Sequence, residues 1–227
     1  MMSEADWLAV RLTLRLAATT TLILMLLAPS LAWWLARSRS RIRPLIESLV
    51  ALPLVLPPTV LGFYLLLAFS PRSLPGHWWL EMTGHTLAFS FTGLVLASVI
   101  YSLPFAVQPL QSAFVNMGDK ELEAAATLGM GRLARFRHIV VPMVLPSFII
   151  AATLSFAHTL GEFGVVLMIG GNIPGQTQVL SIALFDHVEA MDYQSAHYLA
   201  GGLLLFSVVL LTLVYGVLQK RQQRRFQ

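Results

Sequence analysis

The sequence contains no cysteine among its 227 residues, which excludes a disulfide framework, thiolate chemistry and any cysteine-ligated metal. Charge is scarce too: 15 Lys and Arg with 11 Asp and Glu make 11% of the chain, against about 25% in a soluble domain. No Gly-rich loop ends in Lys-Ser/Thr, and the six histidines show no His-Glu-x-x-His spacing; His77 and His85 would meet only by an accident of folding. The chain therefore carries no nucleotide-hydrolysing or zinc-hydrolase motif of its own. Internal repeats and low-complexity linkers are also missing, so one membrane domain over residues 1–227 is expected.

What is abundant is apolar side chain, 56% before the 15 glycines are added. A soluble protein of this size buries only about 70% of its unfolded surface, too little to hide so much hydrocarbon. Lipid has to do the solvating. A bilayer core of about 30 Å needs about 20 helical residues, and five nearly uncharged runs meet that length, at roughly 16–36, 45–69, 87–109, 139–160 and 198–218. The expected fold is an all-α polytopic membrane protein.

The net charge of +4 is clustered between these runs, so its location says more than its sum, and no nucleic-acid partner is implied. Arg37, Arg39, Arg41 and Arg43 fill the first connection, Lys120, Arg132, Arg135 and Arg137 the third, and Lys220, Arg221, Arg224 and Arg225 the tail. Those twelve of 15 basic residues fall on one side of five crossings, whereas 161–197 has no Lys or Arg at all. The positive-inside rule makes that side cytoplasmic, the amino terminus external and the carboxyl terminus internal. Arg11 and Arg15 weaken this at the start, unless they snorkel to the outer interface. A cleaved signal peptide is the competing reading there, opposed by Glu4, Asp6, an overlong apolar run and the four arginines that follow. Residues 165–171 and 179–188 are short for a sixth span, and the choice between five and six stays open. They are expected as an ordinary external loop with a short surface helix, an interfacial or re-entrant segment being the alternative.

The third connection, about 117–138, is the most informative. Asp119 is placed to cap a helix whose first turn carries Glu121 and Glu123. Leu122, Ala125, Ala126 and Gly129 recur at three to four residues, a small apolar face another protein can approach closely. In the second run, Pro57 and Pro58 fall near mid-membrane, remove two amide donors and should break the helix. Unpaired backbone in lipid costs several kcal/mol, so such a break must face protein or a water-filled path. Pro57, Pro58 and Thr59 are thus candidates for a translocation path, a kink used only for packing being the alternative. No Lys, Arg or His lies deep in a run, His158 coming nearest. Any anion would meet hydroxyls and amides, with Thr59, Ser90, Thr92, Ser98, Ser102, Gln108, Thr153 and Ser155 available. Glu162 is expected at or beyond the outer interface, in a structural or docking role or as a satisfied interface acid.

Glu123-Ala124-Ala125, then Gly129, then Ile139-Val140-Val141-Pro142 resembles the EAA signature of the membrane subunits of binding-protein-dependent ABC importers, with Val141 where leucine is usual. The resemblance implies a type I importer permease fold whose cytoplasmic coupling helix, marked by Glu123, Ala124, Ala125, Gly129 and Pro142, docks on an ATPase. The stretches 52–62, 160–164 and 172–177 are similar to the molybdate permease group and its sulfate and thiosulfate relatives. Implied with it are a second permease copy, two cytoplasmic ATPase subunits that bind the ATP and Mg, and a periplasmic molybdate-binding protein. A bacterial inner-membrane location follows, with no cofactor or metal in this chain. The alternatives are a sulfate, thiosulfate or tungstate importer, or a secondary carrier independent of ATPase. The carrier would need a mid-span acid or His relay, which the sequence lacks.

Overall fold

The computed structural model describes residues 2–118 and 120–223 and is helical nearly throughout. Helix α1 (Glu4–Arg37) begins on a capping box, Ser3 and Asp6 each accepting the other's backbone N–H. Its 34 residues reach about 51 Å, well beyond the apolar run that announces it. Helices α2 (Arg43–Val55) and α3 (Pro58–Phe69) share the second run, α4 (Leu74–Thr83) follows, and α5 (Phe91–Met117) is the third span. Helix α6 (Lys120–Thr127) occupies the third connection; α7 (Arg132–Arg135), a π turn (Phe136–Val140) and α8 (Val141–Leu160) form one continuous fourth span. Two short helices, α9 (Gly164–Gly170) and α10 (Leu180–Glu189), precede α11 (Tyr193–Gln223). Among the described residues, four helices are long and apolar enough to cross a membrane, five spans if α2 and α3 count as one.

Helices in lipid gain little from hydrophobic contact with one another and associate by close packing, which small residues permit. Ala17, Ala28 and Ala32 of α1, Ala97 and Ala106 of α5 and Ala151 of α8 are all fully buried where these three helices meet. One apolar cluster, with Leu24, Leu35, Val50, Leu110 and Val144, fills the arginine-rich end. A second, with Leu16, Leu61, Leu94, Val165 and Ile169, fills the opposite end. Because α2 belongs to the first cluster and α3 to the second, the broken pair carries the chain from one end to the other. Helix α11 lies at the periphery, with none of its apolar window buried.

Residues 164–170 correct the expectation of a surface loop. Val165, Val166 and Ile169 are fully buried, and α9 packs on α3 and α5 inside the bundle. The loop after it closes on itself, Thr177 donating to the Gly170 carbonyl at 2.7 Å. Helix α10 is then fastened to α1 at two points. Thr13 Oγ1 accepts the Leu180 N–H at 2.7 Å, and His187 Nε2 lies 2.8 Å from Asp6 Oδ1. Asp6 is only 3% exposed, so His187→Ala leaves a buried carboxylate oxygen without its partner. A loss of about 2 kcal/mol is expected, read as a lower unfolding midpoint in detergent.

Candidate functional site

The break in the second span follows from its prolines. A residue before proline is pushed out of the helical region, and Leu56 and Pro57, which precede Pro57 and Pro58, both take ψ of 137°. The two extended residues turn the axis by 116° between α2 and α3. Pro57 is not left unsatisfied, since its carbonyl accepts from Val60 and Leu61 and so starts α3.

Pro58 and Thr59 face a cavity of about 620 Å³ closed by Tyr101, Ala157, His158, Gly161, Glu162, Phe163 and Gly164. Gly164 is there because nothing larger fits: a Cβ would come within 2.7 Å of the Pro58 Cβ. His158 lies between the rings of Phe105 and Tyr101, 4.1 and 4.7 Å away, and its Nδ1 is 2.9 Å from Ser102 Oγ. Ser102 also meets Thr159, whose hydroxyl donates to the Ser155 carbonyl. With Nδ1 occupied, Nε2 is the ring nitrogen left for a ligand. The cavity thus offers the Thr59 and Tyr101 hydroxyls, one imidazole edge and the Glu162 carboxyl group, with no Lys or Arg in its wall.

Glu162 departs from expectation. It is 5% exposed rather than external, and its Oε2 accepts from Ser98 at 2.8 Å while its backbone carbonyl accepts from Ser181. Burial removes it from any external docking surface and leaves it bracing α5 and α10 against the turn that closes the cavity. Its Oε1 has no partner, so it is not a satisfied interface acid either. Of the other hydroxyl candidates, Ser98 and Ser102 stand behind the wall, Ser90 caps α5 and Thr153 donates to Ile149. Tyr101 was missed. Its signal is a phenol adjacent to Ser102 in an uncharged span.

At the arginine-rich end, α6 carries Glu123 and Ala124 exposed, while Ala125 is 5% exposed and Leu122 packs on the adjacent core. The small periodic face therefore leans partly on its own bundle, which corrects its expected role as the open face. What projects instead are Leu128 and Leu133, 83% and 80% exposed, for which the spacing gave no warning. Gly129 lies between them, beyond the last turn, at φ of +80°, and its missing side chain would meet nothing within 4 Å. The Met130 and Gly129 amides close on the Ala125 and Ala126 carbonyls, so glycine is required by the left-handed cap rather than for room inside a helix. Asp119 lies outside the described residues. Arg37 donates to the Gly118 carbonyl at 3.0 Å and Arg135 to Leu122 at 3.3 Å, tying the loop to the spans. Pro142, exposed at the start of α8, follows the π turn; its ring would crowd a regular helical turn.

A family model described as "Binding-protein-dependent transport system inner membrane component" matches residues 28–227. The chain belongs to that family. This inner-membrane component is 56% identical, over 95% of both chains, to the Molybdenum transport system permease protein ModB of Azotobacter vinelandii. It is 34% identical to the Escherichia coli protein of that name over 92% of this chain and 90% of that one. To the Sulfate transport system permease protein CysT of Salmonella typhimurium it is 36% identical, over 86% and 70%. Its fold is that of the alginate-importing bacterial ABC transporter (TM-score 0.72, 17% identity, 98% of this chain and 80% of that one). It also matches the inward-facing MetNI methionine transporter (TM-score 0.72, 15% identity, 96% and 99%). The chain is an ABC-importer permease of the molybdate and sulfate type. Among the described residues, no group of three or more His, Cys, Asp or Glu is placed to hold a metal ion.

Proposed function

We propose that this permease moves molybdate inward across the bacterial inner membrane, as one of two copies that work with two cytoplasmic ATPases and a periplasmic molybdate-binding protein. The observation that carries the choice of anion is the 56% identity to a molybdenum permease over nearly the whole of both chains, against 36% to a sulfate one. In this reading α6, Gly129, Leu128 and Leu133 meet the ATPase, which binds ATP and Mg. Glu123, Ala124, Ala125 and Pro142 belong to the same coupling region. Closing of the ATPases moves that loop, and its ties to α1 and α8 pass the motion to the spans. The cavity beside Pro57, Pro58 and Thr59 lies on the path, and Glu162 holds its wall.

Hydroxyls, one imidazole edge and the Glu162 carboxyl group, with no fixed cation, hold an anion weakly, as suits a conduit that must release its load. They separate sulfate from molybdate poorly, since a thousandfold preference takes about 4 kcal/mol. The closed site of a binding protein supplies such a difference, because each misplaced donor there is desolvated. In liposomes with ATP inside, uptake of molybdate, and of tungstate, is expected only with the cognate binding protein. A sulfate-binding partner engineered to dock should then give sulfate uptake. Failure of sulfate to cross, with docking and hydrolysis normal, would assign selectivity to the permease and to Thr59 and Tyr101 first.

The orientation has its own test. Single cysteines at Ser38 and Gln222 are expected to resist an impermeant thiol reagent in intact cells, while cysteines in 72–81 and 172–176 react. Labelling at residue 38 from outside would reverse the topology.

A further inference from the structure

We propose that the oxyanion enters the cavity beside Pro58 together with one proton, which His158 takes on Nε2 and offers to it as a hydrogen-bond donor. This rests on the reading above, in which the cavity lies on the path, and adds the group that holds the cargo there.

The hydroxyl protons behind the ring fix the state of the empty site. Thr159 gives its proton to the Ser155 carbonyl at 2.9 Å, so the 3.0 Å contact between Ser102 and Thr159 has to use the Ser102 proton. Ser102 Oγ then has only lone pairs to offer the ring. Its 2.9 Å contact with His158 is therefore an N–H donated by Nδ1. A neutral imidazole carries hydrogen on one nitrogen alone, so Nε2 presents a bare lone pair. Among the described residues nothing donates to Nε2, and His158 belongs to the cavity wall.

A lone pair repels an oxyanion, and a proton on Nε2 reverses the sign. The imidazolium then donates a charge-assisted hydrogen bond, and the doubly negative cargo supplies the countercharge that keeps the proton in place. The seat suits that cation. Phe105 stacks on the ring at 4.1 Å and Tyr101 tilts against it at 4.7 Å, and aromatic faces attract a cation within about 6 Å. No bond of the cargo is made or broken. The proton comes from water on the loading side and returns to water when the anion leaves.

Two other titratable groups share the wall, Tyr101 from α5 and Glu162 from the turn after α8. Glu162 Oε2 is taken by Ser98 and Oε1 has no partner, so no hydrogen bond joins carboxyl and ring. Helix α5 carries no charged residue, and α3 and α9 bring only Pro58, Thr59 and Gly164. Helices α1 and α11 also pack on α8, yet neither contributes a residue to the wall.

The test uses the complete transporter in liposomes of fixed internal pH, supplied outside with molybdate-loaded binding protein. Uptake is counted per ATP hydrolysed, which cancels changes in docking or in the ATPase. In the wild type this ratio should fall about fivefold as external pH rises from about 6 to about 8.5 and the imidazolium is lost. His158→Gln should be low and flat across that range. His158→Arg, charged at every pH used, should be flat and exceed the wild type at the alkaline end. A wild-type ratio that does not change with pH overturns the proposal without any variant. So does a His158→Gln profile as steep as the wild type, which would give the titration to Tyr101 or Glu162. Normal uptake by His158→Gln with failure of Gly164→Val would keep the cavity on the path and remove the proton from it. Normal uptake by both would take the cavity off the path, and the proposal with it.

Discussion

Aspartate at Leu128 and Leu133 together is expected to reduce ATPase association with the permease by more than a hundredfold while leaving membrane insertion unchanged. Both leucines are about four-fifths exposed, so nothing in the folded chain depends on them. Each would contribute about 1.5–2 kcal/mol by burial in a partner. A charge in its place adds a desolvation cost. A loss of about 3 kcal/mol or more corresponds to that fold-change. Gly129→Val should act more mildly, through the roughly 1–2 kcal/mol needed to hold an L-residue left-handed at a φ of +80°. Co-purification from detergent and ATP hydrolysis in liposomes read both. Full association by the double variant would move the docking surface away from this loop.

The second large effect is expected at the broken span. Gly164→Val should lower uptake at least tenfold in reconstituted vesicles, because its Cβ would sit 2.7 Å from that of Pro58 and force α9 off α3. Gly62 lies in the same seam, where a Cβ would meet the Met168 side chain at 2.8 Å, so the wall has no slack to absorb the change. Gly161→Ala is the control. It borders the same cavity, yet its nearest new contact is an ordinary 3.8 Å. Wild-type uptake by Gly164→Val would take the cavity off the path, and equal failure of Gly161→Ala would point to general sensitivity of the turn.

What could be read from the sequence was local chemistry. Two consecutive prolines dictate extended backbone whatever surrounds them, so the break at Pro57 was legible down to the residue. The ends of α1 were half legible: the apolar run gave its core, and the Ser3-x-x-Asp6 box that extends it was present but masked by Arg11 and Arg15. Residues 164–170 were illegible for another reason. Seven apolar residues suit a surface helix or a buried one equally, and only the close approach of Gly62 and Pro58 opposite shows which. The cavity needed α5 beside α8, a pairing of residues more than fifty apart that brings Tyr101 and Ser102 to His158. Leu128 and Leu133 escaped because exposure is a property of the finished loop.

The fastening of α1 to α10 also bears on the order of assembly. Helix α1 leaves the ribosome before the helices it packs on, yet the groups that meet Thr13 and Asp6 are the Leu180 amide and the His187 ring, 167 and 181 residues later. Until those arrive, the first turns of α1 present a carboxylate and a hydroxyl at a membrane surface with no protein around them. The packed middle of α1 can settle on α5 long before, through Leu24, Ala28 and Ala32. Maturation would thus proceed from the arginine-rich end outward, and the far end would seal last. A chain released before residue 180 would hold a formed arginine-rich half and a loose opposite half, the kind of incomplete product that membrane quality-control proteases can grip by its unfastened segment.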